Sequence, residues 1–453
     1  MFDAKSNANF IKEHNAKHMW HPMAHPAEMR ANPPKVIMGG AGVTITDVDG
    51  HQVIDAVGGL WNVNLGYSCE PVKAAIAKQL EQLAYYSAFR GTSTGPAVEL
   101  SHMLQEWFAP DGLTRAFFTS GGSDSVETAL RLARQYHKIR GHGDRTKFIS
   151  LKKGYHGTHT GGASVNGNAN FRRAYEPLMP GCFHVEGPYL YRNPFGAETQ
   201  ADLTPFLIRQ LEAEIAFQGP DTIAAFIMEP VLGAGGVHVP HETFMPQIRD
   251  ICDRHGILLI ADEVITAFGR TGGWTGSRLW GVQPDMMCTA KAITNGYFPF
   301  GAVMIHGKVA DVFESDTGKM GAIGHGYTYS AHPVGAAAAL ACIPEINRLQ
   351  VHTNAAARGA QLLAGLTALM ERHEVIGDVR GAGLMVCAEL VGDRASKAPL
   401  APPLIAKIFE AIYAAGTMVR ISGNNLIMSP PLILSQTEAD TILDCLEAGF
   451  HAV

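Results

Sequence analysis

The chain has 453 residues, 46% of them hydrophobic and 17% charged, enough apolar material for the cores of two or three domains and too little charge for a disordered chain. A formal net charge of −6 argues against nucleic acid as the main partner, because an acidic protein has no general attraction for phosphate backbones. The seven cysteines are far apart and form no C-x-x-C pair, which argues against a disulfide framework or a zinc ribbon.

The N-terminal segment Met1–Phe10 is polar and lacks the apolar core of a signal peptide. No run reaches the roughly 18 apolar residues of a membrane span. The longest candidate, residues 334–343, is mostly alanine and glycine and predicts a packed helix. We therefore expect a cytoplasmic protein without a membrane partner.

The first 60 residues contain a hairpin signal. Residues 43–47 alternate in polarity, Asp47–Gly50 forms a turn sequence, and residues 52–57 resume the strand pattern. From about residue 71, helices alternate with short apolar runs that predict strands at residues 116–119, 148–151, 223–228, 257–261, 286–289 and 302–305. Such runs are typical of a parallel sheet buried on both faces. Helices are predicted at residues 125–140 and 243–255 between them.

After about residue 335 the chain becomes helical to residue 349 and again over residues 354–372. Short strands are predicted at 384–390, 418–421 and 426–428, and a last helix at 436–450. We therefore predict an α/β protein with three parts: residues 1–70 as an N-terminal segment whose hairpin joins the small domain, residues 71–335 as a large domain, and residues 336–453 as a small α/β domain.

A glycine-rich turn joins the strand at residues 116–119 to the following helix. Ser120-Gly121-Gly122-Ser123 offers backbone N–H groups and hydroxyls at a helix start, where the helix dipole favours an anion. The spacing of Asp124 and Glu127 resembles a capping box and predicts that the helix begins there. A capped turn without a ligand fits this segment equally well, and no dinucleotide-binding or P-loop motif is present.

Two ionisable residues end neighbouring apolar strands. Asp262 follows the run at 257–261, and Lys291 follows the run at 286–289. Taken singly, Asp262 fits a helix cap or an ion pair, and Lys291 fits a surface lysine with a buried stem. Together with the glycine-rich turn, they supply an anion site, a partner for a ring nitrogen and an amine for an imine, which are the three needs of pyridoxal phosphate.

Four N-terminal histidines, at positions 14, 18, 21 and 25, are spaced like metal ligands. Pro22 and Pro26 break any shared helix face, and no acidic residue or cysteine completes a set. We predict no metal site.

The stretches Leu259–Gly272 and Thr289–Tyr297 resemble the class III pyridoxal-phosphate aminotransferases, most closely the ω-amino acid or amine:pyruvate transaminases. The resemblance extends from about Trp20 to the end of the chain. It implies a fold-type I enzyme, with a mostly parallel sheet flanked by helices in the large domain and a smaller α/β domain.

The resemblance also implies roles for individual residues. Lys291 is expected to be the Schiff-base lysine and proton shuttle, and Asp262 the partner of the pyridine nitrogen. The remaining cofactor contacts are expected from Gly121, Gly122, Ser123, Tyr155, Glu229, Val264 and, across the subunit interface, Thr328. The substrate pocket is expected to include Trp61, Phe89 from the partner, and Arg420 as the binder of a substrate carboxylate.

The family's phosphate loop usually reads Ser-Gly-Ser, whereas this chain has Gly121-Gly122-Ser123. One hydroxyl donor is missing, so we expect cofactor binding that is retained but weaker.

The implied activity is transfer of an amino group from an ω-amino acid or primary amine to pyruvate by a homodimer with shared active sites, or by a tetramer. The donor stays open. The alternatives are a 2-oxoglutarate-dependent transaminase of the γ-aminobutyrate type, a decarboxylase, an aminomutase, or a non-catalytic dimeric binding protein.

Overall fold

The structure is a computed structural model that describes residues 8–453; most of the Met1–Phe10 segment lies outside the described residues. Its strands, in chain order, are β1 (Ile37–Ala41), β2 (Thr44–Asp47), β3 (Gln52–Asp55), β4 (Leu113–Thr119), β5 (Lys147–Leu151), β6 (Cys182–Val185), β7 (Ile223–Met228), β8 (Leu258–Asp262), β9 (Met286–Thr289), β10 (Gly301–His306), β11 (Ile376–Ala382), β12 (Met385–Asp393), β13 (Ala398–Pro399), β14 (Thr417–Met418), β15 (Arg420–Ser422) and β16 (Asn425–Met428).

The α-helices are α1 (Ala8–His14), α2 (Pro26–Ala31), α3 (Gly58–Trp61), α4 (Glu70–Gln82), α5 (Gly95–Trp107), α6 (Gly122–Ile139), α7 (Thr160–Val165), α8 (Gln200–Gln218), α9 (Phe244–His255), α10 (Gly276–Leu279), α11 (Gly307–Ser315), α12 (Pro333–Arg348), α13 (Val351–Arg372), α14 (Pro402–Ala415) and α15 (Gln436–Phe450). Within residues 8–453, none of the helices has the length and apolar character that crossing a membrane requires.

A seven-stranded sheet forms the centre of the molecule, in the order β4-β10-β9-β8-β7-β5-β6. β10 runs in one direction and the other six strands of this sheet run in the opposite direction. Every residue of β7, β8 and β9 is buried, as the continuous apolar runs predicted. The six predicted strands are confirmed with small shifts at their ends. The sequence missed β6, a short strand that is mostly half-buried.

Two smaller sheets lie outside the central one. The predicted hairpin is confirmed as β2 and β3, and β3 also pairs in parallel with β14. The other sheet has the order β11-β12-β16-β15. The single strand predicted at residues 418–421 is wrong. The chain passes there from β14 in one sheet to β15 in the other, so two short strands take its place.

The helix predicted after about residue 335, which is expected to begin the small domain, packs on the large domain. α12 lies against α4 and α5, which precede the central sheet. α13 instead packs on β11 and α15. We propose that the boundary of the large domain lies between α12 and α13, near residue 349, instead of at 335.

The capping-box prediction for α6 is wrong, because the helix begins at Gly122. The carboxylate of Asp124 accepts a hydrogen bond from the backbone N–H of Ser120 at 3.0 Å. Glu127 reaches outside its own helix to the N–H of Gly161, at 2.9 Å. Asp124 thus binds the turn just before its own helix, whereas Glu127 binds a segment that local spacing does not reveal.

Candidate active site

A cavity of about 360 Å³ lies at the carboxyl ends of β4, β7, β8 and β9. In open α/β sheets, ligands bind at this edge because the loops that follow parallel strands converge there. Eight of the twelve predicted site residues line the cavity: Gly121, Gly122, Ser123, Tyr155, Glu229, Asp262, Val264 and Lys291.

The glycine-rich turn forms one wall of the cavity. The N–H groups of Gly122, Ser123 and Asp124 open α6, where no earlier turn of helix supplies acceptors. A Cβ on Gly122 would lie 2.9 Å from Cγ1 of Val264, so this close approach requires glycine. A Cβ on Gly121 would meet nothing within 4 Å. The turn fits an anion that needs backbone donors at a helix start.

Buried hydroxyl groups tie this turn to the strand that precedes Lys291. The Ser125 hydroxyl donates to the carbonyl of Thr289 at 3.2 Å, and its oxygen lies 2.7 Å from the hydroxyl of Thr119. These contacts join the ends of β4 and β9. They fix the anion-binding turn relative to the lysine.

Asp262 ends β8 with 4% of its surface exposed. Its Oδ2 atom lies 2.8 Å from Nδ1 of His156, and its Oδ1 accepts from the N–H of Val264 at 3.2 Å. The sequence prediction included Tyr155 but not the adjacent His156, and so it missed this contact. The available signal was a histidine inside a segment already assigned to the site.

Lys291 follows β9 in a strained conformation. Its φ of 51° lies in the left-handed region, which is uncommon for a non-glycine residue and is found disproportionately at functional sites. Removal from water lowers the pKa of Lys291 to about 8, although the nearby carboxylates of Asp262 and Glu229 oppose this change. A neutral amine is therefore accessible near physiological pH.

Glu229 follows β7 and is 3% exposed. Its two oxygens accept from the N–H groups of Tyr155 and Gly233, each at 2.8 Å. Burial raises the pKa of Glu229 to about 7; His156 opposes this rise and the charge of Asp262 adds to it. Glu229 thus holds the loop that carries Tyr155 to the cavity.

Arg420 begins β15 and lies near Tyr155, beside the cavity but outside its lining. Burial lowers the pKa of its guanidinium, and the neighbouring Tyr155 partly offsets this. In the described part of the chain, its side chain takes part in no hydrogen bond or ion pair. A half-buried guanidinium without a partner can receive a carboxylate.

Trp61 is not in the cavity wall. It is 1% exposed and packs with Val231, Ile265 and Met385. Leu60 faces the cavity in its place, because the backbone of Gly59 and Leu60 departs from helical geometry inside α3. Trp61 therefore belongs to a buried cluster behind the wall, and another member of that cluster, Ile265, does line the cavity.

Phe89 and Thr328 lie together on the surface, outside the cavity. Phe89 is 52% exposed, and a Cβ on Gly326 would lie 3.4 Å from its ring. Thr328 is exposed, and its carbonyl accepts from the hydroxyl of Tyr85 at 2.6 Å. The single chain does not bring either residue to its own cavity.

The donor set fits pyridoxal phosphate. The helix start offers N–H groups to a phosphate, the buried carboxylate of Asp262 can pair with a protonated ring nitrogen, and the amine of Lys291 can react with an aldehyde. Glycine at position 122 leaves room that a side chain would fill.

The model of the family described as aminotransferase class-III matches residues 27–450. The curated relatives include a diaminobutyrate–2-oxoglutarate transaminase of Halomonas elongata, 36% identical over 93% of this chain and 91% of its own length. They also include a putrescine–pyruvate aminotransferase of Pseudomonas aeruginosa, 34% identical over 95% of this chain and 94% of its own length.

Solved structures extend the comparison. An amine transaminase from an uncultivated Pseudomonas species, in its PLP-bound form, is 48% identical and superposes with a TM-score of 0.94 over 96% of this chain and 98% of its own. A thermostable omega transaminase variant engineered for the synthesis of bulky amines is 34% identical, with a TM-score of 0.93 over 97% and 98% of the two chains. This chain belongs to the class III aminotransferases and is a pyridoxal-phosphate-dependent transaminase of fold type I.

Proposed function

We propose that this enzyme transfers an amino group from a primary amine or ω-amino acid to pyruvate. The observation that carries the proposal is the amine of Lys291, with its lowered pKa, in one cavity with Asp262 and the helix start at Gly122. The two halves of the reaction share this site, because the amino group is first taken from the donor and then given to the keto acid.

Pyridoxal phosphate, when bound, supplies an aldehyde that takes up the amino group and a ring that delocalises the electrons of the broken C–H bond. Lys291 Nζ would remove the proton from the donor carbon and deliver it to the carbon that carried the aldehyde. Asp262 stabilises positive charge at the ring nitrogen, and His156 holds the Asp262 carboxylate in place. The N–H groups of Gly121, Gly122 and Ser123 would hold the phosphate, and Tyr155 and Val264 would hold the ring.

Arg420 is the proposed binder of the substrate carboxylate. The engineered omega transaminase described above carries substitutions of a tryptophan, a phenylalanine and an arginine. Their spacing along that chain equals the spacing of Trp61, Phe89 and Arg420 here. We propose that these three residues control donor size and carboxylate binding, Trp61 by supporting Ile265 and Phe89 from the partner subunit.

The number of free cations at the cavity supports pyruvate as the acceptor. Among the described residues that line it, Lys291 is the only lysine or arginine, and Arg420 beside it is the free guanidinium. One guanidinium matches the single carboxylate of pyruvate. A second candidate acceptor, 2-oxoglutarate, is favoured by the diaminobutyrate–2-oxoglutarate relative, but its second carboxylate has no evident partner here.

A donor panel tests the activity. We expect amines and ω-amino acids to yield alanine with pyruvate faster than they yield glutamate with 2-oxoglutarate.

Arg420→Gln should raise the KM for pyruvate by about tenfold or more, because a charge-assisted bidentate pair is lost. The kcat with a donor that has no carboxylate should change little. Faster glutamate formation, or an unchanged KM for pyruvate, would contradict the proposal; Arg209→Gln, on α8, is the control.

The proposed assembly is a homodimer, or a dimer of dimers, in the cytoplasm. All seven cysteines are free, which agrees with a reducing compartment. The exposed pair of Phe89 and Thr328 supports sharing of sites between chains, because neither residue reaches its own cavity.

A further inference from the structure

Three possible metal ligands meet where two helices of the C-terminal region end. His373 follows α13, whereas Glu447 and His451 lie one helical turn apart at the end of α15. The ligand atoms of the three side chains all lie within 4.8 Å of one another. The Nε2 atom of each histidine is 3.9 Å from Oε1 of Glu447.

The buried member of this cluster has no partner of its own. The side chain of His373 is 9% exposed, and its Nε2 makes no hydrogen bond within residues 8–453. Its ring lies edge-on to that of His451, with centroids 4.7 Å apart. A buried polar atom without a hydrogen bond is costly, so this nitrogen, which faces a carboxylate beyond hydrogen-bond range, requires an explanation.

The local field favours a cation. The carbonyl ends of α13 and α15 both point to this place, and helix C-termini carry partial negative charge. Glu447 adds a full negative charge. The opposing group is Arg372, whose Nη1 lies 3.0 Å from Oε1 of Glu447, on a side chain that is 58% exposed and free to move away.

We propose that His373, Glu447 and His451 bind a divalent transition-metal ion such as Zn²⁺. Two imidazoles and one carboxylate suit an ion of borderline softness and leave a fourth position for water. With bonds of about 2.0–2.1 Å, tetrahedral ligands lie about 3.3 Å apart. Side-chain rotations would therefore need to shorten the two 3.9 Å separations by about 0.6 Å and the separation of the two histidines, which is at most 4.8 Å, by no more than about 1.5 Å. The bound ion ties the end of α13 to α15.

This site is separate from the active site, since none of its residues lines the cavity. The prediction of no metal site considered the N-terminal histidines alone. Local spacing could not reveal this cluster, because the pair on α15 is completed by a residue from another helix.

The test uses untagged holoenzyme that has been stripped of metal with a chelator. Calorimetric titration with ZnCl₂ should show one ion per chain, and Zn²⁺ should raise the unfolding temperature. His451→Gln and Glu447→Gln should each weaken binding by about tenfold or more and remove the thermal shift. Arg372→Gln should strengthen binding, because it removes the cation that competes for Glu447.

The chain provides a matched control. His102 and Glu106 have the same four-residue spacing on α5, and Nε2 of His102 lies 3.5 Å from Oε1 of Glu106. They are not part of a three-ligand cluster among the described residues. His102→Gln should therefore bind Zn²⁺ like the unchanged protein. His451 is 69% exposed, so its variant should fold normally. Absence of binding, equal affinity in His451→Gln, or loss of binding in His102→Gln would overturn the proposal.

Discussion

Asp262 is held in the cavity through both of its carboxylate oxygens, by His156 and by the N–H of Val264. We expect Asp262→Asn to keep the shape of the site but lose the charge that stabilises a protonated ring nitrogen. The rate of amino transfer should fall about 100-fold or more. Single-turnover measurements with a good donor check this. Asp250→Asn, on the exposed surface of α9, is the control; an unchanged rate in Asp262→Asn would contradict the assignment.

The lowered pKa of Lys291 predicts how cofactor uptake depends on pH. Only the neutral amine attacks an aldehyde, and a pKa of about 8 makes half of the amine neutral at that pH. The rate at which apoenzyme takes up pyridoxal phosphate should rise with pH through about 8 and then level off. Borohydride trapping at Lys291 measures this rate.

Free Nα-acetyl-lysine is the reference for this experiment, because its amine has the ordinary pKa of about 10.4. Its reaction with the same aldehyde should keep rising beyond the pH at which the enzyme levels off. If both amines showed the same pH dependence, burial would have no effect on Lys291.

At the scale of elements, the turn between β4 and α6 is where substitutions should change cofactor affinity. Space is open around Gly121, so Gly121→Ser should add a hydroxyl donor and tighten cofactor binding by about three- to tenfold. Gly122→Ala should weaken binding, because its Cβ would press on Val264, and Val264→Ala should restore it. Equilibrium dialysis gives the affinities. Unchanged affinity in Gly121→Ser would refute the inferred weakness of this loop.

Prediction from the local sequence succeeds for some elements and fails for others. β7 is predicted to the residue, because six buried apolar residues stand between turn sequences. The start of α6 is misplaced, because the two acidic residues do not form a capping box. Asp124 accepts from the N–H of Ser120 and lies 2.6 Å from Nε2 of His159, and Glu127 accepts from the N–H of Gly161. The single strand predicted at 418–421 is replaced by two short strands, because β14 pairs in one sheet and β15 pairs in another.

At the scale of the whole molecule, Thr328 should act on the site of the partner chain. Thr328→Val should reduce cofactor retention, and Lys291→Ala should abolish turnover. When the two variants are mixed, a shared-site dimer gains one site with an intact lysine and an intact threonine. We therefore expect mixed dimers to recover cofactor retention and about half of the turnover. Recovery should be absent if Thr328 serves its own chain.

The sequence by itself determined the fold class and the cofactor of this protein, and it predicted Asp262 and Lys291 as the main residues of the candidate site. Asp262 and Lys291 lie at the ends of apolar runs that predict buried strands, and neighbouring parallel strands bring such ends together. These inferences depend on residues that are contiguous in the chain or on a single rule of sheet topology.

Only the tertiary structure decided which side chains hold the reactive ones. His156 contacts Asp262 across 106 residues of chain, and Glu229 contacts the loop of Tyr155 across 74. Tertiary packing also turned Trp61 into the interior and brought His373 to the end of α15. Such contacts depend on how whole elements pack against one another, and the spacing of residues along the chain does not indicate this packing.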